Sequence, residues 1–180
     1  HVAMAALPGM AERTVTVSSL SKSHAMTGWR CGWIAGPEAA IDHAANLSLC
    51  MLYGLPGFVQ QAAVTALDQG DAIAADARRL YAARRDALLA ALAEAPSVSA
   101  LSPDAGMFLM LDIRGTGMTA KEFAWALLRE TGVSVLDATA FGLSAADHVR
   151  LSFTLNEAKL AEAGRRITAF CQSRALRTTD

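Results

Sequence analysis

The sequence has few cysteines and no excess of either charge. Its three cysteines, Cys31, Cys50 and Cys171, lack the spacing of a metal site or a redox pair, and an odd number argues against a disulfide framework. The net charge of −1 gives no electrostatic reason to expect nucleic acid or an anionic membrane as a partner. We therefore expect a cytoplasmic protein whose cysteines are small buried apolar residues.

Long uncharged apolar runs are absent as well. Hydrophobic residues make up 53% of the 180 residues, but no run is long enough to span a bilayer. Amphipathic helices rich in alanine and leucine account for the apolar composition. The length allows one large domain or two small ones, and no membrane partner is expected.

The segment 18–33 concentrates groups that can react and bind. A lysine amine is protonated at neutral pH, so a catalytic lysine needs a lowered pKa or must be held as an imine. A phosphorylated aldehyde cofactor does the latter, and its phosphate needs hydroxyl donors and an arginine. Lys22 could be such a lysine, and Ser19, Ser21 and Arg30 supply the phosphate-binding groups.

This segment resembles the cofactor-lysine signature of the class I and II aminotransferases, which are fold-type I enzymes that use pyridoxal 5′-phosphate. The signature reads Ser-x-Ser-Lys, a short variable stretch and Gly-x-Arg-x-Gly. It occurs here with every spacing intact, at Ser19, Ser21, Lys22, Gly28, Arg30 and Gly32. The resemblance implies that Lys22 is the catalytic residue that holds the cofactor and moves the α-proton, and that Ser19, Ser21 and Arg30 bind the phosphate.

A second constellation centres on Arg150, in the apolar segment His148–Phe153. An arginine in a short apolar strand is costly to bury unless it meets a carboxylate, which its planar fork binds through two hydrogen bonds. The segment resembles the family's Arg-Leu-Ser-Phe stretch, which implies that Arg150 binds the α-carboxylate of the substrate. The alternative is a strand-edge arginine paired with a structural acid.

Two further segments resemble the family with departures. Pro103–Phe108 resembles Pro-x-Gly-Gly-Met/Ala-Phe, with Ala105 preceding Gly106 where the family has a glycine pair. Phe141-Gly142 resembles the family's Phe-Gly, but Asp137-Ala138 stands where a Pro-Gly is expected. We therefore expect a different loop near the substrate entrance.

The secondary-structure pattern is α/β followed by α+β. The expected strands are 14–18 (buried, and ending just before Lys22), 30–35, 107–113, 133–136 and 149–153. The expected helices are 38–49, 58–67, 72–93, 119–130 with a capping box, and one capped by Asn156, with a frayed tail over 174–180.

The resemblance assigns this pattern to the C-terminal part of the pyridoxal-phosphate-dependent transferase fold, namely the end of the large-domain α/β sheet plus the small α+β domain. Residues 1–71 would be a remnant of the cofactor-binding large domain. Residues 72–95 would form a long connecting helix, and residues 96–180 the C-terminal small domain.

In the family, the lysine motif lies past the middle of the chain, whereas here it comes almost at once. The sequence therefore resembles the C-terminal half of such an enzyme. The family's groups that contact the cofactor ring, an aspartate, an aromatic residue, a tyrosine and an asparagine, lie upstream and have no assignment here. The resemblance implies a homodimeric parent enzyme that exchanges amino groups between an amino acid and a 2-oxo acid. We expect this chain alone to have little or no activity.

Three alternatives remain open at this point. The first is another fold-type I reaction, a β-lyase or a decarboxylase, which differs in its products. The others are the aminotransferase-like effector domain of a transcription regulator and a purely structural or dimer-forming fragment. Within the family, the segments 23–33 and 46–54 most resemble arginine–pyruvate transaminases.

Overall fold

The computed structural model describes residues 2–175, which divide into two units at Ala77 and Arg78. The first unit contains β1 (Thr16–Ser19), α1 (Leu20–Ser23), β2 (Gly32–Ala35), α2 (Glu38–Leu52), α3 (Gly57–Asp68) and the first eight residues of α4 (Gly70–Leu92). The second contains the rest of α4, β3 (Ser99–Leu101), β4 (Phe108–Asp112), α5 (Ala120–Thr131), β5 (Leu136–Asp137), β6 (His148–Ser152) and α6 (Glu157–Ala175).

Two sequence predictions concern the C-terminal tail and membrane-spanning helices. Of the tail expected to fray, residues 174 and 175 end α6, and residues 176–180 lie outside the described part of the chain. Among residues 2–175, no helix combines the length and the apolar character that crossing a membrane requires.

The sheet of the first unit consists of β1 and β2, paired antiparallel from Thr16 opposite Ala35 to Ser19 opposite Gly32. The prediction that strand 14–18 is buried is wrong, because Val15 and Val17 are 51% and 72% exposed. The β-branched sequence favours an extended backbone, but burial depends on neighbours. Within the described residues this sheet has no third strand to provide them.

The helices of the first unit lie where they were expected, with shifted ends. α2 continues to Leu52 rather than to residue 49 and stops at Tyr53, whose φ of 59° is left-handed. α4 begins at Gly70, one of the two residues expected to break the helix, and ends at Leu92 rather than at residue 93. It therefore also ends before residue 95, the predicted end of the connecting helix.

A small core lies beneath the lysine segment of the first unit. It consists of Leu20, Met26, Cys31 and Val59, and alanines of α3 pack against it. Because Leu20 is the first residue of α1, this core fixes the base of the helix that carries Lys22. Cys31 and Cys171 are buried as expected, but the same expectation is wrong for Cys50, which is exposed on α2.

The second unit is built on an antiparallel four-stranded sheet in the order β3-β4-β6-β5. Leu109, Leu111, Val149 and Leu151 are buried and share a core with apolar residues of α4, α5 and α6. Side chains alternate along a strand, so Arg150 lies on the opposite face of this sheet.

The strand predictions for the second unit differ in accuracy. The strands expected at 107–113 and 149–153 are confirmed as β4 and β6, with ends shifted by one residue. The prediction of a strand at 133–136 is wrong over most of that range. Of these residues, Leu136 alone pairs with β6, as the first residue of the two-residue strand β5.

The predicted caps of the second unit are confirmed. Thr119 and Glu122 form a reciprocal capping box at the start of α5, and Gly132 ends that helix with a left-handed φ of 73°. The Asn156 side chain accepts a hydrogen bond of 2.9 Å from the Lys159 amide and thereby caps α6. These caps fix the helices that pack beneath the sheet.

Candidate cofactor and carboxylate sites

Lys22 lies on α1, a single helical turn that begins directly after β1. The Ser19 side chain caps this turn by accepting a hydrogen bond of 3.3 Å from the Ser21 amide. The Ser23 hydroxyl donates to the Ser19 carbonyl at 3.4 Å. Strand β1 thus ends at a capped turn with Lys22 exposed on it.

Arg30 returns to the same turn from the other side. The Leu20 amide donates to the Cys31 carbonyl at 3.2 Å, and Gly32 stands opposite Ser19 in the ladder. The Arg30 backbone is left-handed, with φ 53° and ψ 41°, and its guanidinium donates to the Thr27 carbonyl at 2.8 Å. A left-handed arginine is uncommon, and such backbone strain clusters at functional sites.

His24 closes α1 at its C-terminal end. Its Nδ1 lies 2.8 Å from the Ser23 hydroxyl, while its Nε2 is buried without a hydrogen-bond partner among residues 2–175. A side chain at Gly70 would come within 3.4 Å of that Nε2. His24 therefore packs against the start of α4.

Lys22 and Arg30 pair with no acid among residues 2–175. No ion pair between described side chains includes Lys22 or Arg30, whereas Arg114, Arg165 and Arg166 each pair with a carboxylate. The segment therefore offers one amine, one guanidinium and serine hydroxyls on adjoining backbone. Such donors suit a phosphorylated anion.

Arg150 lies on β6, with Met110 of β4 and Leu136 of β5 as its neighbours in the ladder. Its central guanidinium carbon is 4.1 Å from the centre of the Phe108 ring and 4.8 Å from that of Phe141. The alternative of a structural ion pair is not what the described residues show, because none of their ion pairs includes Arg150. No carboxylate of residues 2–175 forms an ion pair with its guanidinium.

Sequence reasoning missed the two ring contacts of Arg150. Phe108 stands opposite Ser152, which makes it a diagonal neighbour of Arg150, and strand register could have revealed this contact. Phe141 ends a short 3₁₀ helix, Thr139–Phe141, and has no place in the ladder. Neither strand nor helix periodicity predicts the direction of the Phe141 side chain, because this residue lies outside the strands and the α-helices.

The turn before Phe141 is held by Asp137. Its Oδ1 accepts hydrogen bonds from the Thr139 hydroxyl at 2.6 Å and from the Thr139 amide at 2.9 Å. These bonds lower the pKa of Asp137, with the hydroxyl contributing most, so the carboxylate stays charged at neutral pH. This turn lies where the sequence has Asp137-Ala138 in place of the family's Pro-Gly.

The predicted site residues thus fall into two groups. Ser19, Ser21, Lys22 and Arg30 lie close along the backbone within the first unit, and Arg150 belongs to the second. The family model described as "aminotransferase class I and II" matches residues 2–167. The chain belongs to the class I and II aminotransferases.

Relatives of this aminotransferase chain include the arginine–pyruvate transaminase AruH of Pseudomonas aeruginosa, which is 53% identical over 98% of the chain and 44% of that enzyme. An aspartate aminotransferase of Musicola paradisiaca is 37% identical over 85% of the chain and 38% of its own length. The crystal structure of the Pyrococcus horikoshii aromatic aminotransferase aligns with a TM-score of 0.92 at 33% identity and covers 98% of this chain and 47% of that one. The chain therefore spans less than half the length of these aminotransferases, and the predicted partial transferase fold is confirmed.

The lysine segment fits the cofactor of this aminotransferase family. Members of the family depend on pyridoxal phosphate, which carries an aldehyde and a phosphate. Lys22 supplies an exposed amine, and the segment beside it supplies the hydroxyls of Ser19 and Ser21 and the Arg30 guanidinium without a competing acid. These residues fit the aldehyde and the phosphate of the group.

Proposed function

We propose that the complete protein carrying this sequence transfers an amino group between an amino acid and a 2-oxo acid, with pyridoxal phosphate held at Lys22. The observation that carries the proposal is the position of Lys22 on a capped turn after β1, where the Leu20 amide donates to the carbonyl of Cys31, the residue after Arg30. Membership of the aminotransferase family supports the same reaction.

Each residue of the lysine segment has a separate role in this proposal. Pyridoxal phosphate, when bound, supplies the electron sink for the bonds at the substrate α-carbon. Lys22 holds the cofactor and then acts as the general base and acid that moves the α-proton. Ser19, Ser21 and Arg30 bind the phosphate and so fix the position from which Lys22 works.

Arg150 binds the substrate α-carboxylate in this proposal. Its guanidinium contacts two rings and has no acid partner among the described residues, which leaves its N–H groups available for a bidentate pair. An amino acid and a 2-oxo acid both carry this carboxylate. The same arginine therefore serves both directions of the transfer.

We propose arginine and pyruvate as the first substrate pair to test, because the relative that is 53% identical is an arginine–pyruvate transaminase.

We also propose a homodimer. Exposed apolar side chains of α2 and α3, among them Met51 and Phe58 at 74% and 71% exposure, support an interface on the first unit. The buried free cysteines Cys31 and Cys171 support a cytoplasmic location.

The test is an assay of the complete reading frame that encodes this sequence, with pyridoxal phosphate, arginine and pyruvate. We expect the oxo acid of arginine and alanine in equal amounts, and loss of both when Lys22→Ala replaces the wild type. Release of ammonia or carbon dioxide instead would indicate a β-lyase or a decarboxylase. Absence of turnover with any of the common amino acids would contradict the proposal and favour a binding module.

A matched control uses another lysine of the chain. Lys121 lies on α5 and Lys159 on α6, both in the second unit. Lys121→Ala should keep the activity that Lys22→Ala loses.

We further propose that the 180-residue chain alone has little or no activity, because it spans 44% of its arginine–pyruvate relative. Robust turnover by the purified chain would contradict that part.

A further inference from the structure

The two aromatic rings beside Arg150 are held by different parts of the fold. Phe108 belongs to β4, and the hydrogen-bonded ladder with β6 fixes its position relative to Arg150. Phe141 lies outside every strand, at the end of the 3₁₀ helix Thr139–Phe141. Its side chain is 55% exposed, and it follows the turn that Asp137 and Thr139 form.

That turn is built from one carboxylate and a short series of backbone hydrogen bonds. Asp137 Oδ1 accepts from both the amide and the hydroxyl of Thr139. The amide of Ala138, a fully buried residue, donates to the His148 carbonyl at 3.1 Å, and the Phe141 amide donates to the Ala138 carbonyl at 2.9 Å. Asp137 therefore starts the path of contacts that ends at the Phe141 ring.

The sequence of this turn departs from the pattern of the family. A Pro-Gly pair fixes a turn through its backbone, whereas an aspartate does so by accepting hydrogen bonds from the residue two positions on. With Asp137-Ala138 in that place, the turn depends on a side chain. Replacing Asp137 removes the hydrogen-bond acceptor of the turn. Such a replacement changes the backbone preferences less than the replacement of a proline would.

We propose that Asp137 is a positioning residue for substrate binding, which acts through Phe141 on the guanidinium of Arg150. The proposal rests on the proposed function, in which Arg150 binds the α-carboxylate. The ring contact restricts the guanidinium and lowers the entropy that it loses when a carboxylate binds. Asp137 itself does not touch the substrate.

The kinetic test compares Asp137→Ala and Asp137→Asn in the complete reading frame. Asp137→Ala removes the acceptor, and we expect the KM for both the amino acid and the 2-oxo acid to rise about fivefold, the size of one lost cation–π contact, with little change in kcat. Asp137→Asn keeps an Oδ1 acceptor and should restore both KM values. Phe141→Leu, which removes the ring directly, should reproduce the effect of Asp137→Ala.

A matched control removes the same kind of bond elsewhere in the second unit. Thr119 also accepts a backbone hydrogen bond, from the Glu122 amide at 3.3 Å, but it caps α5. Thr119→Ala should leave both KM values unchanged even if it lowers stability. A rise in KM equal to that of Asp137→Ala would show that general destabilisation is responsible and would overturn the proposal.

A spectroscopic test on the 180-residue chain does not depend on turnover. The NMR signal of the Arg150 Nε–H group, assigned by its loss in Arg150→Lys, should be displaced by the two neighbouring rings. Asp137→Ala and Phe141→Leu should shift it in the same direction, towards the value of a free arginine, while Asp137→Asn and Thr119→Ala should not. Pyruvate, used as the carboxylate probe, should perturb the signal at lower concentration in the wild type than in Asp137→Ala.

The two tests separate failure of this proposal from failure of the proposed function. An inactive wild type whose Arg150 signal still responds to Asp137→Ala and to pyruvate would contradict the transamination proposal while supporting the positioning role. An active wild type with unchanged KM values and an unmoved Arg150 signal in Asp137→Ala would overturn the positioning role alone. Equal effects of Asp137→Asn and Asp137→Ala would also overturn it.

Discussion

Gly32 stands opposite Ser19 in the ladder between β1 and β2, at a place where a side chain does not fit. A Cβ atom there would lie 2.8 Å from the Ser18 carbonyl oxygen and 3.2 Å from the Ser19 Cβ. Both neighbours belong to the strand end that leads into α1. The second glycine of the signature thus has a packing reason that concerns the position of Lys22 itself.

The first testable prediction is that Gly32→Ala destabilises the first unit by about 1–3 kcal/mol, because a clash with backbone cannot be relieved by a rotamer change. Gly28→Ala is the matched control, since no atom lies within 4 Å of the added Cβ. Thermal unfolding followed by tryptophan fluorescence measures both, with Trp125→Phe introduced so that Trp29 and Trp33 of the first unit give the signal. Equal stability of the two variants would contradict the packing role of Gly32.

The sequence predicts the placement of some site residues better than that of others. The signature places Ser19, Ser21, Lys22 and Arg30 on one short stretch. The hydrogen bonds from the Ser21 amide to Ser19 and from the Arg30 guanidinium to Thr27 span two and three positions. The left-handed backbone of Arg30 and the contact of Arg150 with Phe141 could not be predicted. They depend on tertiary neighbours, such as Phe141, that no local spacing encodes.

At the scale of elements, caps and periodicity predicted the helices well. The capping box at Thr119 and the Asn156 cap involve residues three positions apart, so the sequence contains all the information. The burial of β1 and the extent of the strand after Gly132 were predicted wrongly. Both depend on which strands pair, and pairing involves residues far apart in the chain.

Helices α4 and α6 of the second unit approach each other closely at Gly164 of α6. A Cβ atom at this position would lie 2.5 Å from the Cβ of Ala91 on α4, and the Thr168 hydroxyl donates to the Ala91 carbonyl at 3.0 Å beside it. A glycine inside a helix costs about 1 kcal/mol relative to alanine. The close approach of the two helices explains why α6 carries one.

The second prediction follows from this crossing. Gly164→Ala should destabilise the second unit despite its better helix propensity, because overpacking costs about 1–3 kcal/mol. Ala91→Gly alone should cost about 1 kcal/mol through lost helix propensity. The double variant exchanges the two side chains and should be more stable than either single variant, as urea denaturation can measure. Simple addition of the two losses would contradict the account.

At the scale of the whole molecule, the two units differ in the size of their cores. The described residues of the second unit include a cluster of fifteen buried residues, and those of the first a cluster of four. α2 contributes no buried residue at all. Local opening should therefore require less free energy in the first unit than in the second.

The third prediction concerns hydrogen exchange in the 180-residue chain. Amides of β4 and β6 should be protected for much longer than those of β1 and β2, and α2 should exchange fastest among the long helices. Mass spectrometry of peptides after exchange measures this order. Similar protection of the two sheets in the isolated chain would contradict it.

Covalent trapping of pyridoxal phosphate would show which lysine of this sequence holds the cofactor. This sequence has only three lysines, Lys22, Lys121 and Lys159. The complete reading frame would be mixed with pyridoxal phosphate, reduced with borohydride and digested for peptide mapping. We expect Lys22 to carry the label while Lys121 and Lys159 do not, and we expect Lys22→Arg to abolish the label within this sequence. Label spread over Lys121 and Lys159, with none preferred at Lys22, would contradict the account.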